Sequence, residues 1–354
     1  MLTPYPVAGE EPRGGVETAA SRLIPALERR GIDITVIGVR ATPDASALPG
    51  VSLRSDERLS LIRNLRPMRK SLAGILRAGE PDIIHALGLV PAGYAATHVD
   101  DATMPCVITA HGSRRQDTLA VYRGVAARAR WFLGRRMIRS AVENADAVIG
   151  VHPDWQVNLP SRPTRFAYIP NIVDERFFAI VRRPVEQRVL YCGGEAAIKG
   201  WDILRAAWPL VLERVPGARL QAVGCTPAGV ASDLRASVET SPWLASAQLV
   251  DAMAEAAIVV IPSRFEVAPT VLSEAWAART PVVATAVGGV PALATGAAHL
   301  VEGLSPAALA AALVRALESP EPDFIEEGAQ RAARHHEDVV VDAHLEVYRS
   351  LLAA

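Results

Sequence analysis

Apolar and polar residues along the chain switch between helical and strand periods, and the alternation is laid down twice. In the first half, Val16 to Arg30 carries apolar residues at helical spacing, interrupted by Pro25, which is expected to kink the helix. Ile32 to Val39 alternates as a strand, and Asp82 to Ala86, Cys106 to Ala110 and Asp146 to Val151 are short strand-like runs. A long arginine-bearing helix is predicted from Ala120 to Val142. The stretch around Ser161, Pro163, Pro170 and Pro184 breaks the periodicity and reads as a linker. The pattern then restarts. Arg188 to Cys192, Ala218 to Val223, Ala257 to Pro262 and Pro281 to Thr285 are strands, with helices at Trp201 to Arg214 and Val271 to Arg279. Strands that alternate with helices imply parallel sheets covered on both faces. Such sheets bind ligands beyond the carboxyl ends of their strands, so the residues after each strand are the candidates for chemistry. Two units of this kind, facing each other across a linker, would form a cleft suited to a ligand.

Composition narrows the picture. A chain of 354 residues is long for one hydrophobic core, and 50% hydrophobic with 21% charged residues is a globular composition. A net charge of −1 argues against a protein that grips nucleic-acid phosphates. Cys106, Cys192 and Cys225 are far apart and lack ligand spacing, which disfavours a disulfide framework or structural zinc and fits a reducing cytoplasm. His335-His336 lacks companions at ligand spacing, so no metal site is expected there. No apolar run approaches the roughly 20 residues of a membrane-spanning helix, and the N-terminus lacks the basic-then-apolar pattern of a signal peptide. Among 37 basic residues only Lys70 and Lys199 are lysine. In so arginine-rich and alanine-rich a chain, each lysine is either a chance survivor or a residue held by a site that wants lysine.

Several residues after predicted strands carry suitable chemistry. Beyond the strand ending at Pro262, Glu266 sits in a loop and Glu274 in the first turns of a helix, with Thr270 placed to cap it. Two carboxylates at one sheet edge can accept hydrogen bonds from vicinal hydroxyls of a sugar or ribose, although Glu274 could simply complement the helix dipole. Gly193-Gly194 and Gly288-Gly289 permit close backbone approach to a phosphate, although turns use such pairs constantly. Lys199 adds a point charge suited to phosphate, and Gly14-Gly15 could act similarly at the first helix. His111 follows another strand, where a lone histidine is more often structural than catalytic.

The Glu266-x7-Glu274 element, with Ala275 to Thr285 and Val287-Gly288-Gly289-Val290-Pro291 after it, resembles the donor-site signature of the family 4 retaining glycosyltransferases (glycosyl transferases group 1). The resemblance runs in order through Gly14-Gly15-Val16-Glu17, Thr109 to Gly112, Ala145 to Ile149, Ile169 to Asp174, Lys199-Gly200 and the closing segment up to Tyr348. It implies an α/β protein of the GT-B fold, with two Rossmann-like domains facing a central cleft. The expected domains are an acceptor-binding one over 1–180, a nucleotide-sugar-binding one over 181–333, and a helix over 334–354 packing back toward the first.

The resemblance implies a cytoplasmic bacterial enzyme of polysaccharide biosynthesis. It would transfer a sugar with retention from a nucleotide-diphosphate sugar to a glycan or lipid-linked acceptor, without metal or resident cofactor. By position, Glu266 and His111 would serve as catalytic residues at the donor sugar, and Glu274 would hold the ribose. Lys199 would meet the diphosphate, with Gly14, Gly15, Arg264, Val267, Ala268, Pro269, Thr270, Gly288 and Gly289 completing the donor site. Retention in this family is attributed to same-face attack, so no covalent nucleophile is assigned.

Three departures stand out. Gly194 replaces an arginine of the family, removing one diphosphate-neutralising charge unless Arg264 or another arginine supplies it. Ile172 stands where glycine is common, and Met1-Leu2-Thr3-Pro4 resembles only the tail of the family's first strand, implying either a translation start upstream or a truncated strand there. The first and third departures keep open a second reading, a non-catalytic sugar-nucleotide or glycan-binding partner in a biosynthetic complex. An isomerase of nucleotide sugars is disfavoured by the Glu-x7-Glu element. The helix over 120–142 is basic and amphipathic, which suits peripheral docking on anionic lipid or a lipid-linked acceptor, or simply a solvated arginine face.

Overall fold

The computed structural model describes residues 1–4, 14–38, 40–41, 52–53, 60–99, 104–112, 125–154, 159–319 and 321–353. The chain divides into two compact units, Met1–Ile172 with Glu337–Ala354, and Val173–His336. The division therefore falls at Ile172 rather than at 180, and the chain re-enters the first unit at Glu337 rather than 334.

The first unit is built on a six-stranded parallel sheet. Its strands are β1 (Leu2–Thr3), β2 (Ile37–Gly38), β3 (Ile84–Leu87), β4 (Cys106–Ala110), β5 (Ala147–Gly150) and β6 (Phe166–Tyr168), in the order β2-β1-β3-β4-β5-β6. The strand expected over 32–39 is described only at Ile37–Gly38, because its neighbour β1 offers two residues, Leu2 against Ile37 and Thr3 against Gly38. Val39 lies outside the described residues. β6 lies in the stretch read as linker; three half-buried residues at a sheet edge carry too little pattern to be seen in sequence.

Helices α1 (Gly15–Arg29) and α2 (Ser60–Gly79) follow in this unit, with α3 (Val125–Glu143) the described part of the helix expected over 120–142. Helix α1 continues past Pro25. The C-terminal helix, Glu337–Leu352, also belongs here. Its Val340, Val341, Leu345 and Tyr348 join Leu23, Ile24 and Leu27 of α1 in one apolar cluster beside Leu87 and Val107 of the sheet. Fully burying side chains of this size is worth about 1.5–3 kcal/mol each. Arg29 to Glu337 and Arg30 to Asp338 and Asp342 lace the two helices at their exposed edge.

The second unit repeats the plan with a sheet of six parallel strands. These are β7 (Arg188–Tyr191), β8 (Arg219–Val223), β9 (Val238–Ser241), β10 (Ile258–Ile261), β11 (Val282–Thr285) and β12 (His299–Val301). Their order is β9-β8-β7-β10-β11-β12. The central strand β10 is apolar throughout because both its faces are covered. Val189, Tyr191, Ile258 and Val260 pack with Leu204 and Trp208 of α4 (Trp201–Arg214). Leu190, Val259 and Ile261 face the other way, onto Met253 of α5 (Ser246–Glu255) and Leu272 and Trp276 of α6 (Thr270–Ala277). Two of the buried indoles are satisfied, Trp208 donating to Ser237 Oγ at 3.0 Å and Trp276 to the Ala297 carbonyl at 3.0 Å. Three further helices, α7 (Val290–Ala294), α8 (Pro306–Glu318) and α9 (Pro322–Ala332), belong to this unit beside a single turn at Glu175–Phe178, and the C-terminal helix is α10. No helix among the described residues is long and apolar enough to cross a membrane.

Candidate functional site

In the second sheet the chain runs from β7 outward to β9 on one side, then returns to place β10 on the other. The order thus reverses between β7 and β10, the point at which an open parallel sheet leaves a crevice for ligands. The loop after β7 carries Lys199 and the loop after β10 carries Glu266, and the two meet there. Lys199 Nζ donates to Glu266 Oε1 at 2.7 Å, and Ser263 Oγ donates to the same oxygen at 2.7 Å. The lysine side chain is 38% exposed and the glutamate 9%, so the ammonium reaches solvent while the carboxylate is held from below.

Backbone contacts fix this arrangement. Arg264 N–H donates to the Ile198 carbonyl at 2.7 Å, tying the two loops together. Gly200 has φ +72°, and a Cβ there would collide with the Pro262 carbonyl. Gly289 N–H donates to the Glu266 carbonyl at 2.8 Å, and Gly288, at φ +57°, approaches that carbonyl so closely that a Cβ would strike it. The need at Gly288-Gly289 is therefore close packing against the Glu266 backbone. Thr285 Oγ1 donates to the Ser263 carbonyl at 2.5 Å. Ser263 and Thr285 were not singled out from sequence, where an isolated hydroxyl carries no signal of its partner.

The remaining expected donor residues take varied places. Val267 and Pro269 are buried and Ala268 is half-buried in the loop leading to α6. Thr270 does not cap that helix: it is the first helical residue, and Pro269 precedes it at the cap position with no side-chain cap bond. The helix starts one residue earlier than its apolar pattern suggested, which moves Thr270 out of the cap. Glu274 is buried at 4% exposure, and its charge adds to burial in pushing the Cys192 thiol pKa up.

Arg264 is engaged with Asp202 through Nη1 at 2.7 Å and Nη2 at 2.6 Å, and its Nη1 also donates to the Ala197 carbonyl. This pairing with Asp202 holds its pKa above the ordinary arginine value, and its charge is offset within the loop. Gly194 itself, at φ +66°, lies under Trp243: a Cβ would come within 2.8 Å of Trp243 Cζ2. The indole, 66% exposed, fills the space that a side chain at 194 would need. Beneath them Tyr191, its phenol kept protonated by burial, donates to the Gly194 carbonyl at 2.7 Å.

Gly14, Gly15 and His111 belong to the first unit. Gly14 caps α1 and Gly15 opens it, with open space where a Cβ would stand on either. His111 directly follows β4, and its Nε2 is sealed from solvent without a hydrogen-bond partner among the described residues. Burial, with the charge of His344 adding to it, lowers its pKa to about 4. Ile172 is buried in the first unit's apolar cluster, and its carbonyl accepts from Arg22 Nη1 at 3.0 Å. Residues 113–124, which follow Gly112, lie outside the described residues. Among the described residues no group of three or more His, Cys, Asp or Glu side chains is disposed to hold a metal ion.

The chain is similar to known proteins over most of its length. Residues 13–177 match the family model Glycosyltransferase Family 4, and residues 186–319 match Glycosyl transferases group 1. The chain is 28% identical over 407 residues to the D-inositol 3-phosphate glycosyltransferase of Acidothermus cellulolyticus, covering 99% of this chain and 89% of that protein. Among solved structures it superimposes on sucrose-phosphate synthase from Thermosynechococcus elongatus with a TM-score of 0.78 at 19% identity, covering 99% of each chain. It superimposes on Anabaena HepE in complex with UDP-glucose with a TM-score of 0.73 at 16% identity, again covering 99% of each. The GT-B fold, the Glu-x7-Glu element at the switch point and these matches lead to one conclusion: the chain belongs to the family 4 (group 1) glycosyltransferases and is an enzyme that transfers a sugar from a nucleotide sugar.

Proposed function

We propose that this enzyme transfers its sugar with retention of anomeric configuration, to a hydroxyl of a glycan or lipid-linked acceptor, with neither metal nor resident cofactor. The observation that carries this reading is the Lys199–Glu266–Ser263 cluster at the strand-order reversal. A leaving nucleoside diphosphate develops negative charge, which preorganised donors can stabilise. Lys199 supplies a mobile positive charge at the start of α4, whose free N–H groups favour anions. When the ammonium turns to phosphate, Glu266 is released to accept hydroxyl protons of the donor sugar. Glu274 holds the ribose, and the backbone of Val267, Ala268, Pro269 and Thr270 lines the sugar side. Gly288 and Gly289 fix Glu266; by their family positions Gly14 and Gly15 are assigned to the phosphates and His111 to the sugar near the reacting carbon. Arg264 contributes by bracing the loop through Asp202. The acceptor oxygen attacks from the face the diphosphate leaves, and the departing phosphate takes its proton.

The test is nucleotide release from a panel of UDP-, GDP- and ADP-sugars, with glycans, lipid-linked sugars and D-inositol 3-phosphate (the acceptor in the name of the Acidothermus relative) offered as acceptors. Turnover that persists in EDTA and a product of unchanged anomeric configuration, read by NMR, are expected. An inverted product overturns retention, and EDTA-sensitive turnover overturns metal independence. Failure of every donor either to bind or to release nucleotide overturns the donor assignment.

The exposed face of α3 favours a peripheral membrane role as well. Phe132 at 58% and Leu133 at 40% exposure stand beside Arg135, Arg136 and Arg139 along a groove of about 650 Å³. Exposed apolar side chains among arginines suit the interface of an anionic bilayer. Co-flotation with phosphatidylglycerol vesicles, lost in Phe132→Ser or Arg136→Glu, is the expected result; no binding to such vesicles by the unaltered protein refutes the role.

A further inference from the structure

Two imidazole nitrogens in the first unit, Nε2 of His111 and Nε2 of His344, are inaccessible to solvent and lack a hydrogen-bond partner among the described residues. Both side chains line one cavity of about 10 Å³ between the end of β4 and α10, together with Thr109 and Asn171. A space of this size admits a single water molecule.

The tautomer of His344 is set by its own helix. Its Nδ1 lies 2.8 Å from the Val340 carbonyl, and only an N–H can face a carbonyl oxygen. With the ring kept neutral by burial, Nε2 is then a lone pair that needs a donor. The neighbouring His85 cannot serve, since its Nδ1 is within 2.6 Å of Tyr348 Oη and its Nε2 within 2.7 Å of Thr109 Oγ1. His111 lines the same cavity, and its Nε2 likewise has no partner among the described residues.

We infer that one buried water joins His111 to His344, accepting from His111 Nε2–H and donating to His344 Nε2. His344, on the C-terminal helix, is thereby a positioning residue for His111. It fixes the His111 tautomer and leaves the Nδ1 lone pair as the nitrogen that accepts a hydroxyl proton from the donor sugar. The inference rests on the role given to His111 under the proposed function; the water link and the tautomer can be measured without turnover.

The experiment is long-range proton–nitrogen NMR of the uniformly 15N-labelled full chain, with His111→Asn used to assign the ring. A single neutral tautomer protonated at Nε2 is expected for His111. His344→Leu should convert it to a mixture of tautomers and lower kcat about tenfold, with the donor KM changing less than twofold. His344→Gln, which keeps a buried polar group, should restore most of both signals. Thermal unfolding of each variant separates misfolding from mispositioning. The inference is overturned if His111 carries its proton at Nδ1, or if His344→Leu folds and leaves the His111 tautomer unchanged. Absence of turnover with every nucleotide sugar, alongside the expected tautomers, refutes the proposed function and leaves the water link standing.

Discussion

Replacing Lys199 with methionine removes the ammonium and keeps most of the aliphatic stem, so the change isolates charge from packing. In the free enzyme Glu266 Oε1 would lose one of two donors, the ammonium at 2.7 Å, and keep Ser263 Oγ. The lysine side chain is 38% exposed, so water partly replaces it and the stability cost should be modest, about 1 kcal/mol. With a nucleoside diphosphate bound the loss should be larger, because a charge-assisted hydrogen bond to phosphate contributes about 1.5–3 kcal/mol, or roughly 10–150-fold in Kd. Isothermal titration with UDP, GDP and ADP at fixed ionic strength measures this directly. Lys199→Arg retains the charge and should fall between the two. A Kd within twofold of the unaltered protein for the best-bound diphosphate would show that Lys199 does not meet phosphate. A loss confined to stability would reduce the ion pair to a structural clasp.

Other consequences follow from the same geometry. Gly288→Ala forces a side chain into the left-handed region at φ +57° and against the Glu266 carbonyl, at about 1–2 kcal/mol for the backbone plus about 1–3 kcal/mol for overpacking. Urea denaturation should register that loss and donor KM should rise; an unchanged midpoint refutes the close approach. Gly194→Arg, which restores the family residue, should weaken rather than strengthen diphosphate binding, because the new side chain meets Trp243. Tighter binding by Gly194→Arg, with no change at Trp243, contradicts the packing described. Burial drives the pKa of His85 well below its ordinary value, and those of His111 and His344 to about 4. The unfolded rings bind protons first, near pH 6.5, so this contribution is complete above that pH and is lost as pH falls toward about 4. Stability measured by urea titration should therefore fall across that window, less steeply in His344→Gln; equal slopes in the two proteins would contradict the burial of His344.

The sequence by itself determined the repeated βα plan, the central strands and the order of the motifs. Strands such as Ile258–Ile261 are buried on both faces and so read as unbroken apolar runs. It also marked Lys199 and Glu266, one through the scarcity of lysine and the other through its spacing to Glu274. Edge elements such as Phe166–Tyr168 and His299–Val301 were not legible, because their existence depends on a neighbouring strand rather than on their own pattern. The tertiary structure alone decided the contacts. It placed Lys199 and Glu266, 67 positions apart, at hydrogen-bonding distance, because parallel strands β7 and β10 are neighbours only through the sheet order. It engaged Arg264 with Asp202 and set Trp243 over Gly194, pairings that neither segment's own pattern announces. It also brought His344 to the cavity that holds His111. No one-dimensional period encodes which side chains from distant segments share a space, since that is fixed only when the core closes around them.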